Sequence, residues 1–436
     1  MELFEAIEVF PQMARPIIIK SDVLRLGLRC SDAAKAVWRV RDDILYKAYH
    51  LFSYDRAETV MLGDKIPSFM ILDDGSPDGM VIQIRTYPDS PYVIDYVDEE
   101  FGLYYGDTRS STRTHLAKIA FDVPSKFGRR MIDGVPMEAL VQGYRSVLFV
   151  TASKYCEYFS MDKQCLFCDL VPHASSKKKA GETMVLRPLA EQVAEVLEVA
   201  FHETRFRHLF MTAGTIVSKH KGMTDVDYWV DFLNTIRRRL RVWFPTSFQI
   251  NAQDDEGWRK LHDTGVSTVH PNIEVWGKDL FEKICPGKAE KVGYDEWIRR
   301  TIRAVDFWGP GNVMPSFVSG VEMAQPFGFK TVDEALDSTL GGFDFLMSHG
   351  VLPRQGPVWC VEPNSKLAGC HPTPLEYYVR LGLAFMELRE KHGFTSCNIA
   401  LSRRFLYHDT EYDIEYWHGN GPSSRKAELA SAAAPA

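Results

Sequence analysis

This chain of 436 residues contains no apolar run near the roughly 20 residues that cross a bilayer, so no membrane-spanning helix is expected. Its opening, "MELFEAIEVFPQMARP", lacks the basic stretch and apolar core of a secretory signal, which makes the cytoplasm the expected compartment. Basic runs are few and short: Lys177, Lys178 and Lys179, then Arg237, Arg238, Arg239 and Arg241. Beside a net charge of −7 they read as solvated loop or helix faces, and they fall short of the broad basic field that nucleic acid requires. Internal repeats are absent. Cysteine is scarce and unevenly spaced, eight in all, and in a reducing compartment that is poor disulfide material.

What is present is ordinary for a globular protein, with 45% hydrophobic and 25% charged residues, enough for one large domain and a smaller one. Residues 1–145 mix a helical stretch, "SDAAKAVWRVRDDILYKAYHLF", with short apolar runs such as "FMILDD", "MVIQIRTY" and "YVIDYV". These point to a small α+β domain. From residue 146 to 375 apolar strands alternate with amphipathic helices. The strands are "SVLFVTA", "HLFMTAG", "SFQINA", "STVHPNIEV", "VMPSFVSGVE" and "GPVWCVE". Six such units imply a parallel sheet of the α/β class that curls into a partial (β/α)6 TIM-type barrel. Residues 376–418 form a helix and cap, and the small, polar stretch 419–436 is expected to be a disordered tail.

Cys30, Cys285, Cys360, Cys370 and Cys397 are scattered and read as small buried or half-buried hydrophobes. The other three cysteines stand together in "KYCEYFSMDKQCLFCDL", as Cys156, Cys165 and Cys168. This is the loop after the first barrel strand, and in parallel α/β folds the ligand site forms at the carboxyl ends of the strands. Three thiolates on such a loop can hold three irons of a cubane cluster and leave the fourth iron open. Two other readings of the loop stay available. His173 can complete a tetrahedral zinc site with the three sulfurs, which makes the loop a structural clasp. If His173 binds the fourth iron instead, the protein is a simple iron–sulfur electron carrier.

The cysteine loop resembles that of the radical S-adenosylmethionine (SAM) superfamily, which places an aromatic residue between its last two cysteines, here Phe167. The usual spacing is Cys-x3-Cys-x2-Cys, whereas this chain has Cys-x8-Cys-x2-Cys. In the family the second strand ends in a glycine-containing turn that holds the methionyl amino group, matched here by Thr212, Ala213, Gly214 and Thr215. The fourth strand is similar to the biotin synthase and tyrosine lyase branch, with Asn272 and Glu274 at the positions that meet SAM. The fifth places Val318, Gly320 and Glu322 near the adenine. Each residue also has a plainer role open to it. Gly214 can simply end a strand, Asn272 can be a turn residue, Glu274 can pair with Lys278, and Glu322 can sit on an outer rim.

The resemblance implies a three-cysteine-ligated 4Fe-4S cluster as cofactor together with SAM, which is cleaved reductively to a 5′-deoxyadenosyl radical. That radical takes a hydrogen atom from a small-molecule substrate in a biosynthetic pathway. It also implies a flavodoxin- or ferredoxin-type electron donor. The Asp-x-His-x-x-Gly signature of the cobalamin-binding branch is missing, and so is a second cysteine-dense region. A single-cluster enzyme acting on a small metabolite is therefore expected.

Overall fold

The computed structural model describes residues 1–46, 65–76, 78–106, 113–179, 184–240, 243–394 and 408–418. Arg241, Cys397 and the expected tail 419–436 lie outside the described residues.

The run "VLFVTAS" is buried at every position, as a central parallel strand covered on both faces must be. This first barrel strand, Val147–Ser153, pairs in parallel with the second, His208–Ala213. The third, Thr246–Gln249, and the fourth, Thr268–His270, extend the sheet, and Gln142–Tyr144 adds an antiparallel edge beside the first strand. Helices return the chain between strands, and their starts are written locally. Thr224 and Asp227 form a capping box for Asp225–Arg239, as Thr331 and Glu334 do for Val332–Ser348. Asp254 caps Asp255–His262.

The fourth to sixth strand positions depart from the sequence expectation. Pro271 ends the fourth strand at His270, and the fifth and sixth segments form isolated parallel bridges in place of continuous ladders. Pro315, Pro353 and Pro357 fall in these segments and have no N–H to donate. The sheet nevertheless curls onward through single bonds, Met314 N–H to the Val269 carbonyl at 2.9 Å, Arg354 N–H to the Pro315 carbonyl at 2.9 Å and Trp359 N–H to the Ser319 carbonyl at 2.9 Å. The end of the expected strand "VMPSFVSGVE" is not extended. Gly320 adopts φ 102°, a left-handed backbone suited to glycine, and Val321–Met323 make one 3-10 turn. Three helices fall in stretches to which the sequence pattern assigned none: Leu170–Lys179, Lys278–Ile284 and Pro286–Lys291.

The earlier part of the chain forms a six-stranded sheet in the order Arg29–Cys30, Tyr92–Val97, Glu100–Tyr105, Thr114–Phe121, Phe69–Leu72 and Met80–Gln83. Only the first pairing is parallel. Tyr87 fastens this region to the sixth barrel segment, its hydroxyl donating to the Val361 carbonyl at 2.7 Å. The helix Glu411–His418 closes back onto the helix Arg15–Leu26 through a buried ion pair, Lys20 to Asp413 at 2.6 Å.

Asp413→Ala removes the anion facing the fully buried Lys20 ammonium and is expected to destabilise the protein by about 3–5 kcal/mol. Urea unfolding checks this, and a loss below about 1 kcal/mol, the range of an exposed pair, would contradict it.

Candidate functional site

At the carboxyl ends of the barrel strands lies a cavity of about 260 Å³, and Cys156, Cys165 and Cys168 all contribute to its wall. Cys156 precedes the short helix Glu157–Ser160, while Cys165 and Cys168 stand in the turn before Leu170–Lys179. The loop is held from two sides. Gly214 N–H donates to the Ser153 carbonyl at 2.8 Å, and Glu157 N–H donates to the Thr215 carbonyl at 2.9 Å, which joins the second strand end to the loop. A Cβ on Gly214 would lie 2.3 Å from the Tyr155 carbonyl oxygen and 2.7 Å from the Cys156 Cβ. Only glycine permits that approach. From the other side, Leu166 N–H donates to the Ile284 carbonyl at 2.8 Å.

Eight of the ten residues matched to SAM contacts line the same cavity: Phe167, Thr212, Ala213, Gly214, Thr215, Asn272, Glu274 and Val318. Thr215 offers its backbone N–H and hydroxyl to the Cys156 sulfur, and the Thr212 hydroxyl meets Gln249 Oε1 at 2.6 Å. Asn272 Oδ1 accepts from Ser316 N–H at 3.0 Å, tying the fourth strand to the fifth segment. Glu274 sits at φ 71°, a left-handed backbone that a non-glycine residue adopts only where its surroundings impose it. Its partner is Lys288 at 2.7 Å, while Lys278 pairs with Asp295, so the expected surface pair of Glu274 with Lys278 is replaced by a buried one.

Gly320 and Glu322 are not part of the wall. Glu322 is buried behind it, neither on the cavity nor on an outer rim. Its carboxylate accepts from Gly320 N–H at 2.7 Å, from the Thr339 hydroxyl at 2.8 Å and from the Tyr377 hydroxyl. It joins the fifth segment to the outer helices Val332–Ser348 and Leu375–Lys391.

Sequence reasoning missed several wall residues. Gln249 ends the third strand, Asn251 follows it and Asp225 opens a helix, while Lys288 comes from Pro286–Lys291 and Glu362 from the sixth segment. Gln83 and Arg85 reach in from the six-stranded sheet. A polar residue at the carboxyl end of a barrel strand was the available signal for Gln249, Asn251 and Glu362. Nothing local marks the others.

Electrostatics set this cavity apart from the surface. Burial pushes the Glu362 carboxyl up to about 7, against the pull of Arg85, and pushes Asp225 up to about 7 as well. Burial also raises the Cys156 and Cys168 thiols. Cys165 is held below the usual thiol range by a hydrogen bond with the Cys285 thiol, against burial and with help from Lys288. Burial works against the Lys288 ammonium, yet Glu274 and the neighbouring sulfurs hold it firmly protonated. Thr151 Oγ1, the Tyr158 hydroxyl, Gln164 Oε1 and Glu362 Oε2 belong to residues of this wall and are buried without a hydrogen-bond partner, which is costly.

A zinc ion needs its sulfurs within about 2.3 Å of one point, whereas a cubane takes each thiolate on a different iron. Among the described residues no three His, Cys, Asp or Glu side chains are grouped so as to hold a single metal ion, and Cys156, Cys165 and Cys168 all line one cavity. His173 is buried in the helix Leu170–Lys179, its N–H donating to the Asp169 carbonyl at 2.8 Å, and it is not part of the cavity wall. Three thiols on one cavity wall are a donor set that fits a cubane cluster.

In its curled sheet and its cysteine loop the chain resembles the radical SAM enzymes. No protein-family model matches the chain. Over 238 residues it is 22% identical to bacteriochlorophyllide c C-7(1)-hydroxylase of Chlorobaculum limnaeum, a match that covers 52% of this chain and 56% of that protein. The chain thus spans little more than half the length of this curated relative. Among solved structures it is similar to HydG, a maturase of the FeFe-hydrogenase, at 18% identity over 59% of this chain and 56% of that one, with a TM-score of 0.38. Methylornithine synthase (PylB) aligns at 15% identity over 65% of this chain and 85% of that one, with a TM-score of 0.37.

Two outcomes follow for this cavity. Gly214→Ala forces the second strand end and the cysteine loop apart, so it should cost about 1–3 kcal/mol of stability and lower the iron bound per chain, measured by metal analysis after anaerobic loading. Wild-type iron content in this variant would show that the close approach does not matter to the loop.

Glu362 is raised from 4.5 to about 7, so its contribution to stability is full below the unfolded value and is lost as pH rises through the folded one. Metal-free wild type should therefore melt lower at pH 8 than at pH 5. Glu362→Gln, neutral throughout, should show a smaller drop in thermal scans across that range. Equal slopes in the two proteins would remove Glu362 from the explanation.

Proposed function

We propose that this chain is a radical SAM enzyme that binds a 4Fe-4S cluster through Cys156, Cys165 and Cys168 and acts on a small molecule. The observation that carries the proposal is that three thiols from one loop line a single cavity at the carboxyl ends of the barrel strands. With SAM on its open iron, the reduced cluster supplies a 5′-deoxyadenosyl radical able to remove hydrogen from an unactivated C–H bond. The hydroxylase named as a relative is consistent with chemistry at such a carbon.

The chain's own residues supply position and shelter. In this reading, Thr212, Ala213, Gly214 and Thr215 present backbone to the SAM amino group, and Phe167 packs beside the cluster. Asn272 and Glu274 stand at the fourth strand for the rest of SAM, with Lys288 fixing the Glu274 carboxylate, and Val318 faces the adenine. Gly320 and Glu322 then act from behind the wall, by holding the fifth segment in place. Gln83 and Arg85 close the cavity from the six-stranded sheet, which keeps water from the reacting carbon. The division of labour proposed is an amino-terminal α+β domain over 1–145, the barrel over 146–375 and a cap over 376–418. The electron donor is proposed to be a flavodoxin or ferredoxin type, and the compartment the cytoplasm. No helix among the described residues is long and apolar enough to cross a membrane.

The test is anaerobic loading with iron and sulfide, followed by low-temperature electron paramagnetic resonance of the reduced protein with and without SAM. A four-iron signal that changes shape on adding SAM is expected, together with 5′-deoxyadenosine formation that Cys156→Ala, Cys165→Ala and Cys168→Ala each abolish. One tightly held zinc and no cluster signal would instead make the loop a structural clasp.

A further inference from the structure

The cysteine loop is fastened backbone to backbone to the segment that carries Cys285. Leu166 N–H donates to the Ile284 carbonyl at 2.8 Å, and Gly287 N–H donates to the Lys163 carbonyl at 2.9 Å. These bonds make the two segments antiparallel and set Cys165 directly opposite Cys285. The two sulfurs are in hydrogen-bonding contact. Cys165 belongs to the cavity wall, while Cys285 is fully buried behind it.

We propose that Cys165 and Cys285 are a peroxide-responsive thiol pair that closes to a disulfide when the site is free of metal. The pairing itself stands on the register, and only its consequence for cluster loading rests on the proposed function. The Cys165 sulfur, reached through the cavity, attacks one oxygen of hydrogen peroxide and becomes a sulfenic acid, releasing one water. The Cys285 sulfur then displaces the hydroxyl from that sulfenic sulfur, the S–S bond forms, and a second water leaves. Two thiols and one hydrogen peroxide thus give one disulfide and two waters, the peroxide gaining the two electrons that the sulfurs lose. Closed in this way, Cys165 cannot ligate iron. It is also kept from oxidation to a sulfinic acid, and a dithiol reductant restores it.

The experiment treats the full-length, metal-free protein with one equivalent of hydrogen peroxide under argon, blocks the remaining thiols and maps the unreduced peptides by mass spectrometry. A cross-link joining the Cys165 and Cys285 peptides is expected, with two free thiols lost and both regained in dithiothreitol. Cys285→Ser, treated in the same way, should accumulate sulfinic acid at Cys165 and fail to take up iron and sulfide after dithiothreitol, whereas the wild type recovers its capacity. A Cys165–Cys168 disulfide, or no disulfide at all, overturns the inference, and that peptide map needs no variant to fold. A Cys165–Cys285 cross-link in a protein that takes up no iron even when fully reduced supports the pairing and removes the cluster reading.

Discussion

The structure of this cavity depends on one close approach, that of the second strand end to the cysteine loop. Gly214 brings its backbone so near Tyr155 and Cys156 that a methyl group would collide with both. Because the chain can pass there, Ser153 and Gly214 stay bonded, Thr215 faces the Cys156 sulfur, and the loop is drawn over the barrel mouth. The clamp between 163–166 and 284–287 holds the other end. A loop pinned at both ends presents its thiols in a set geometry, which is what a cofactor with an open coordination position requires.

Around that loop the protein arranges charge so that little of it is unbalanced. Glu274 and Lys288 neutralise each other beneath the sulfurs, and burial favours the protonated forms of Glu362 and Asp225. A wall of this kind has a low local dielectric, and the unpartnered oxygens of Thr151, Tyr158 and Glu362 buried in it are costly.

The rest of the chain works as cover. The six-stranded sheet contributes Gln83 and Arg85, and Tyr87 fastens it to the sixth segment. The buried pair of Lys20 with Asp413 brings the last described helix onto one of the first. Glu322, far from being a loose rim residue, ties the irregular fifth segment to two outer helices through three hydrogen bonds and takes over part of the holding that a regular ladder would do.

Much of this was legible without coordinates, because it is periodic or local. Strand runs such as "VLFVTAS", capping boxes such as Thr224 with Asp227, and three cysteines on one loop report on their own neighbourhoods. They yield the curled sheet and the address of the site. What no local pattern carries is which distant residues meet. Cys285 read as an isolated hydrophobe until the register of 284–287 against 163–166 set it on Cys165. Lys288 and Arg85 look like surface cations in sequence and become buried only in the fold. Gly320 and Glu322 stood in an apolar run that reads as a strand, but a left-handed glycine turned it away from the cavity. Sequence by itself determined the elements and the cysteine loop, since hydrophobic period and spacing act over a few residues. Tertiary structure decided the charge pairs, the fourth thiol and the closed wall, since these arise only when separate segments, as distant as those of Lys20 and Asp413 or Cys165 and Cys285, are packed side by side.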